Sequence, residues 1–142
     1  MRTITARGAA ALMLAAAGIA AAHAVSNADP AQPAQHQVTY TLTAAGPSDF
    51  TVTYLTAQPA NKAAYNADSY AYMKRETINV GPGAPWTFST TMVDPQWAFL
   101  QVSSTTHGGQ AAPEAHCEVT IDGQVASTGD APYSPQCFLS RW

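Results

Sequence analysis

The chain has 142 residues, 46% of them hydrophobic and only 11% charged, with a formal net charge of −3. Residues 1–24 carry two of the six basic residues and none of the nine acids, so the rest of the chain holds four against nine, a formal −5. Such a balance excludes nucleic acid as a partner, because phosphates demand clustered Lys and Arg, and it excludes electrostatic docking on anionic lipid.

The first element in chain order is a leader. Arg2 and Arg7 precede an uncharged, alanine-rich run from Ala9 to Ala22 that ends in Ala22-His23-Ala24, a small-x-small site for cleavage before Val25. The run is too short and too alanine-rich for a membrane span, which needs roughly 20 apolar residues. Residues 1–24 therefore read as a signal peptide, and a secreted, periplasmic or wall-associated product is expected. The remaining 118 residues suffice for one domain with one core. Residues 25–35, with Pro30 and Pro33 among small polar residues, read as a flexible stalk.

From His36 the texture changes to a domain spanning residues 36–142. Val38, Tyr40 and Leu42 alternate with threonines, as do Phe50, Val52 and Tyr54, so two half-buried strands are expected. The turn cluster Gly46-Pro47-Ser48-Asp49 between them suggests a hairpin. Residues 56–72 lack that period and read as a loop, with at most one helical turn near Ala60–Ala64. Strands are then expected over Met73–Val80, Trp86–Val93 and Trp97–Ser104, separated by Gly81–Pro85 and Asp94-Pro95. A glycine-rich loop leads to His116–Ile121, and Asp122-Gly123 supplies the positive φ angles of a type I′ hairpin turn into Gln124–Thr128. A short strand at Cys137–Leu139 closes the chain. Seven or eight strands with no long amphipathic helix predict an all-β, immunoglobulin-like antiparallel β-sandwich, with a closed barrel as the alternative.

Cys117 and Cys137 are the only cysteines, in a chain with an export leader. Pairing them staples neighbouring or facing strands and stabilises the fold by about 3 kcal/mol in the chain-entropy estimate. A redox role would call for Cys-x-x-Cys, which is absent.

Nothing in the chain announces chemistry. His36, His107 and His116 have no metal-ligand spacing, so no metal and no cofactor are expected. There is no Gly-x-Ser-x-Gly elbow. Asp94, Glu114, Glu118 and Asp122 could furnish paired carboxylates, but nothing selects two of them. Trp86 and Trp97 read as core. Tyr65, Tyr70 and Tyr72 crowd the loop that no strand period explains, and rigid aromatic rings on a loop are suited to holding a partner. These three are the candidate binding residues.

The strands Val38-Thr39-Tyr40 and Phe50-Thr51-Val52-Thr53-Tyr54, the start Pro85-Trp86-Thr87-Phe88, and Cys117-Glu118-Val119-Thr120-Ile121-Asp122-Gly123 with the closing Cys137 together resemble the soluble domain of the mycobacterial membrane protein small (MmpS) family. The likeness runs over about residues 38–139. It implies a β-sandwich outside the cytoplasmic membrane that assists a transporter exporting lipids or siderophores. It also implies a disulfide at Cys117 and Cys137 and no catalytic residues. The short leader departs from that family's membrane-spanning helix, and the stretch Gln58–Tyr72 is longer. Both turn the expectation from a transporter partner towards a soluble or wall-associated relative. The functional expectation is a non-enzymatic binding or accessory module of the cell envelope, holding a protein partner or an apolar ligand. A small secreted hydrolase with a shallow carboxylate or serine site is the alternative.

Overall fold

The structure is a computed structural model and describes residues 30–142. The expected signal peptide, and the expected stalk as far as residue 29, lie outside the described residues. Residues 30–35 are exposed and without regular structure.

The domain contains eight strands: β1 (His36–Ala44), β2 (Ser48–Leu55), β3 (Met73–Val80), β4 (Trp86–Met92), β5 (Phe99–Ser103), β6 (Ala115–Ile121), β7 (Gln124–Ala131) and β8 (Gln136–Phe138). They form two antiparallel four-stranded sheets, ordered β4-β1-β6-β7 and β3-β2-β5-β8. The expected β-sandwich is thus formed. Alternation dictates its core: Val38, Tyr40 and Leu42 of β1 and Phe50, Val52 and Tyr54 of β2 are fully buried, as are Leu100 of β5 and Val119 of β6. Each such apolar side chain contributes about 1.5–3 kcal/mol by leaving water. The two buried tyrosines keep their hydroxyls satisfied, since Tyr40 donates to the carbonyl of Leu55 at 2.8 Å and Tyr54 to Glu76 Oε1 at 2.7 Å.

The Cys117–Cys137 disulfide is present, joining β6 of the first sheet to β8 of the second. Such a bond is compatible with an extracellular location. Among the described residues no helix is long and apolar enough to cross a membrane.

Two expectations are corrected. β1 and β2 do not form a hairpin. β1 pairs with β4 and β6, which occupy both its edges, so the Gly46-Pro47 turn carries the chain across to the other sheet. The crossing is tied down by Ala45 and Gly46 amides donating to the carbonyl of Pro113. Trp97 is not in a strand. Asp94 caps a 3-10 turn over Pro95–Trp97 by accepting from the Gln96 amide at 3.1 Å, and β5 begins only at Phe99. Trp97 is nonetheless buried. Asp122 and Gly123 adopt φ of 51° and 80° between β6 and β7, as the hairpin signal required.

The irregular stretch after β2 contains one helix, α1 (Lys62–Ala67), capped by Asn61, whose side chain accepts from the Ala64 amide at 2.9 Å. A 3-10 turn over Ser69–Ala71 then leads into β3.

Candidate functional site

Residues that face away from the core in the second sheet build a groove. Thr53 of β2 lies beside Arg75 of β3 on one side and Gln101 of β5 on the other. Phe99 of β5 pairs with Phe138 of β8, their rings stacked at 6.0 Å. Met73 completes the floor, and Tyr65 of α1 and Trp142 form a wall. The space so enclosed is about 350 Å³, within the range of small-ligand sites though near its lower end.

The wall is held from several directions. Tyr65 donates its hydroxyl to the Met73 sulfur at 3.4 Å and meets Trp142 edge-on at 4.8 Å. Trp142 also packs edge-on against Phe99 at 4.9 Å and Trp97 at 5.6 Å, and its indole donates to the Trp97 carbonyl at 2.6 Å. Behind it, Lys62 Nζ sits 4.0 Å from the Trp142 ring centroid and donates to the carbonyl of Arg141 at 2.7 Å. The Arg141 guanidinium in turn forks onto Asp94 Oδ2 at 2.6 and 2.9 Å. The groove is therefore shaped before any ligand arrives. Burial raises the pKa of the Tyr65 phenol.

The three expected tyrosines are not one unit. Tyr65 lines the groove. Tyr72 is half-buried, 6.5 Å from Tyr65, and its carbonyl accepts from the amides of Thr56 and Ala57. Tyr70 is 74% exposed. Met73, Arg75, Phe99, Phe138 and Trp142 escaped sequence reasoning. Two signals could have found part of the groove: the unbroken runs Ala98-Phe99-Leu100 and Cys137-Phe138-Leu139 abandon alternation, and a strand apolar on both faces has something to cover on both.

Elsewhere the chemistry-bearing groups are paired with one another. Asp94 holds Arg141, Asp122 Oδ2 is 2.7 Å from His36 Nδ1, and Asp130 Oδ1 is 2.7 Å from His116 Nδ1. The hydrogen bond from His36 and that from the Gln37 amide hold the Asp122 carboxyl below the usual range. Glu118 lies on the outward side of β6, and Glu114 takes a φ of 48° just before that strand. His107 lies in the exposed glycine-rich loop. Among the described residues no three of His, Cys, Asp and Glu gather as metal ligands would.

On the interior side of β3 a second network closes the sandwich. Glu76 accepts from Tyr54 at one oxygen and from Lys74 at 2.8 Å at the other. Burial and the Glu76 carboxylate raise the Tyr54 pKa, while Lys74 and then Tyr54 lower that of Glu76.

Comparison with known proteins places residues 40–137 on the model of the Rv2576c beta-sandwich domain. The chain is 37% identical over 120 residues to the uncharacterized protein Rv2576c of Mycobacterium tuberculosis, covering 84% of this chain and 74% of that one. The uncharacterized protein Mb2606c of Mycobacterium bovis matches to the same extent. These matches correct the resemblance to the MmpS family. The motif that carried it, Cys117 to Gly123 with Cys137, encodes a half-buried strand, an inter-sheet staple and a type I′ turn. Those residue types serve local architecture in this chain, so the motif does not by itself fix lineage.

Proposed function

The chain belongs to the Rv2576c beta-sandwich domain family, and we propose that this member works outside the cytoplasm as a non-enzymatic binding module of the cell envelope. The observation that carries this is the preshaped apolar groove on the outer face of the second sheet. A monomeric β-sheet normally turns polar residues outward, yet Met73, Phe99 and Phe138 lie on this face, with Phe138 41% exposed. Apolar side chains placed convergently beneath a braced aromatic wall suit an apolar ligand body. The disulfide and the Ala22-His23-Ala24 leader support export.

The test is native mass spectrometry of protein recovered from the culture medium or envelope fraction, wild type beside the double variant Met73→Ser, Phe138→Ser. A small molecule carried by the wild type and lost from an oxidised, folded variant supports the reading. Exported wild type that carries nothing, and whose tryptophan emission ignores added decan-1-ol, overturns it.

A further inference from the structure

We propose that the ligand of this groove is a single-chain or aryl carboxylic acid, its apolar body lying along Phe99, Phe138 and Trp142 and its carboxylate held by Arg75. The inference rests on the groove being the binding site. Four basic residues lie in the described chain. Lys62 donates to the Arg141 carbonyl, Lys74 to Glu76, and Arg141 to Asp94. Arg75 alone among them makes no ion pair or side-chain hydrogen bond with the described residues, and it is the one that lines the groove. In a chain with an acidic surplus, the groove's only charged lining side chain is thus an uncommitted cation.

The chemistry narrows the head group. A guanidinium presents a planar fork that matches one carboxylate through two parallel hydrogen bonds. A doubly charged phosphate would leave about half its charge unanswered by this single cation. Thr53, Arg75's neighbour, and Gln101 beyond it on the same face supply a hydroxyl and an amide for the remaining lone pairs. The modest volume favours a single small body over a two-chain lipid. Arg75 also lies on an edge strand, where a lone charge can serve only to discourage strand pairing. That role predicts no dependence of ligand affinity on its charge.

Three probes built on a ten-carbon chain separate the possibilities in calorimetric and tryptophan-emission titrations of the oxidised protein: decanoate, decan-1-ol and decyltrimethylammonium. Decanoate is expected to bind at least about tenfold tighter than decanol, and the ammonium weakest. Arg75→Gln should erase the preference for decanoate while leaving decanol unchanged, and Arg75→Lys should keep part of it. Equal binding of decanoate and decanol by the wild type, or equal losses of both in Arg75→Gln, overturns the head-group assignment and leaves the groove standing. Binding of none of the three overturns both.

Discussion

The two sheets are built to different standards. In the first, each neighbouring pair of strands shares seven residue pairs, with one register shift, between Val119 and Thr120 in the β6–β7 pair. Its outer face is polar over β4, β1 and β6, with Thr39, Thr41, Thr87, Ser89 and Glu118 turned outward and Thr39 bonded to Ser89 at 2.8 Å, and carries an exposed Val125 on β7. In the second the ladders shorten across the sheet, from eight pairs between β2 and β3 to four between β2 and β5 and only three between β5 and β8. A three-residue strand at a sheet edge cannot hold itself in place. It is held from outside, by the disulfide from β6 and by the stacking of Phe138 on Phe99, which Trp142 in turn packs against. The groove lies on this second sheet and runs from its longest ladder, at Thr53 and Arg75, to its shortest, at Phe99 and Phe138.

Removing the staple should test this most severely. Cys117→Ser with Cys137→Ser is expected to cost about 3 kcal/mol in chemical denaturation. Hydrogen exchange on the variant should lose protection in β8 first and leave β1 and β6 close to wild type. Simultaneous loss in all three would break the contrast between the sheets. Gly129→Ala comes next, at about 1–3 kcal/mol. Gly129 lies opposite Cys117 in the β6–β7 pair, and a Cβ there would collide with the Gln136 carbonyl oxygen and come within 3.2 Å of the Cys117 sulfur. Its cost should shrink in the disulfide-free background, where β8 can retreat, and a double-mutant cycle reads that directly.

Trp142→Ala removes packing against three rings and a hydrogen bond, so a loss of about 2 kcal/mol and of decanol binding is expected. The matching probe on the other outer face, Thr39→Ala, should stay within about 0.5 kcal/mol in the same melts. A large effect there would mean that the polar face is no plain solvent surface. Acid titration gives a smaller contrast. Glu76 has its pKa lowered in the folded state, by Lys74 and then by Tyr54. Its contribution is therefore fully present above the ordinary glutamate range and is lost as pH falls through the folded value. Stability should decline below about pH 4. Glu76→Gln should flatten that decline, and a profile unchanged by the substitution would remove Glu76 from it.

Much of the architecture is legible in the sequence because burial on one face writes a period of two into it. Thr39 to Thr43 and Thr51 to Thr53 mark strands, and Asp122-Gly123 marks a hairpin, since each effect is local. Partnership is not local. The same alternation that identifies β1 and β2 is silent on whether they pair or face each other, and they face. The groove is less legible still. Its floor comes from β2, β3, β5 and β8 and its wall from α1 and Trp142, so no window of sequence contains it. Of its lining residues Tyr65 stands out most in the sequence, because a tyrosine outside any strand period calls for an explanation, while Phe99 and Phe138 are marked only by the unbroken apolar runs that contain them.

The same reasoning points to Tyr70, and the smallest effect is expected there. Tyr70 follows Ser69 in the short 3-10 turn, a turn too tight to place successive side chains on one face. Tyr65 and Tyr72 are drawn inward onto Met73 and the core, which leaves Tyr70 on the outside of the bend at 74% exposure. A ring that buries so little on folding has little to lose on removal. Tyr70→Ala should therefore change stability by less than about 0.5 kcal/mol and leave decanoate and decanol affinities unaltered, whereas Tyr65→Ala should weaken both ligands. Were Tyr70→Ala to weaken a ligand as much as Tyr65→Ala, the binding surface would extend over the loop beyond the groove, and the contrast between a braced wall and a bystander ring would be lost.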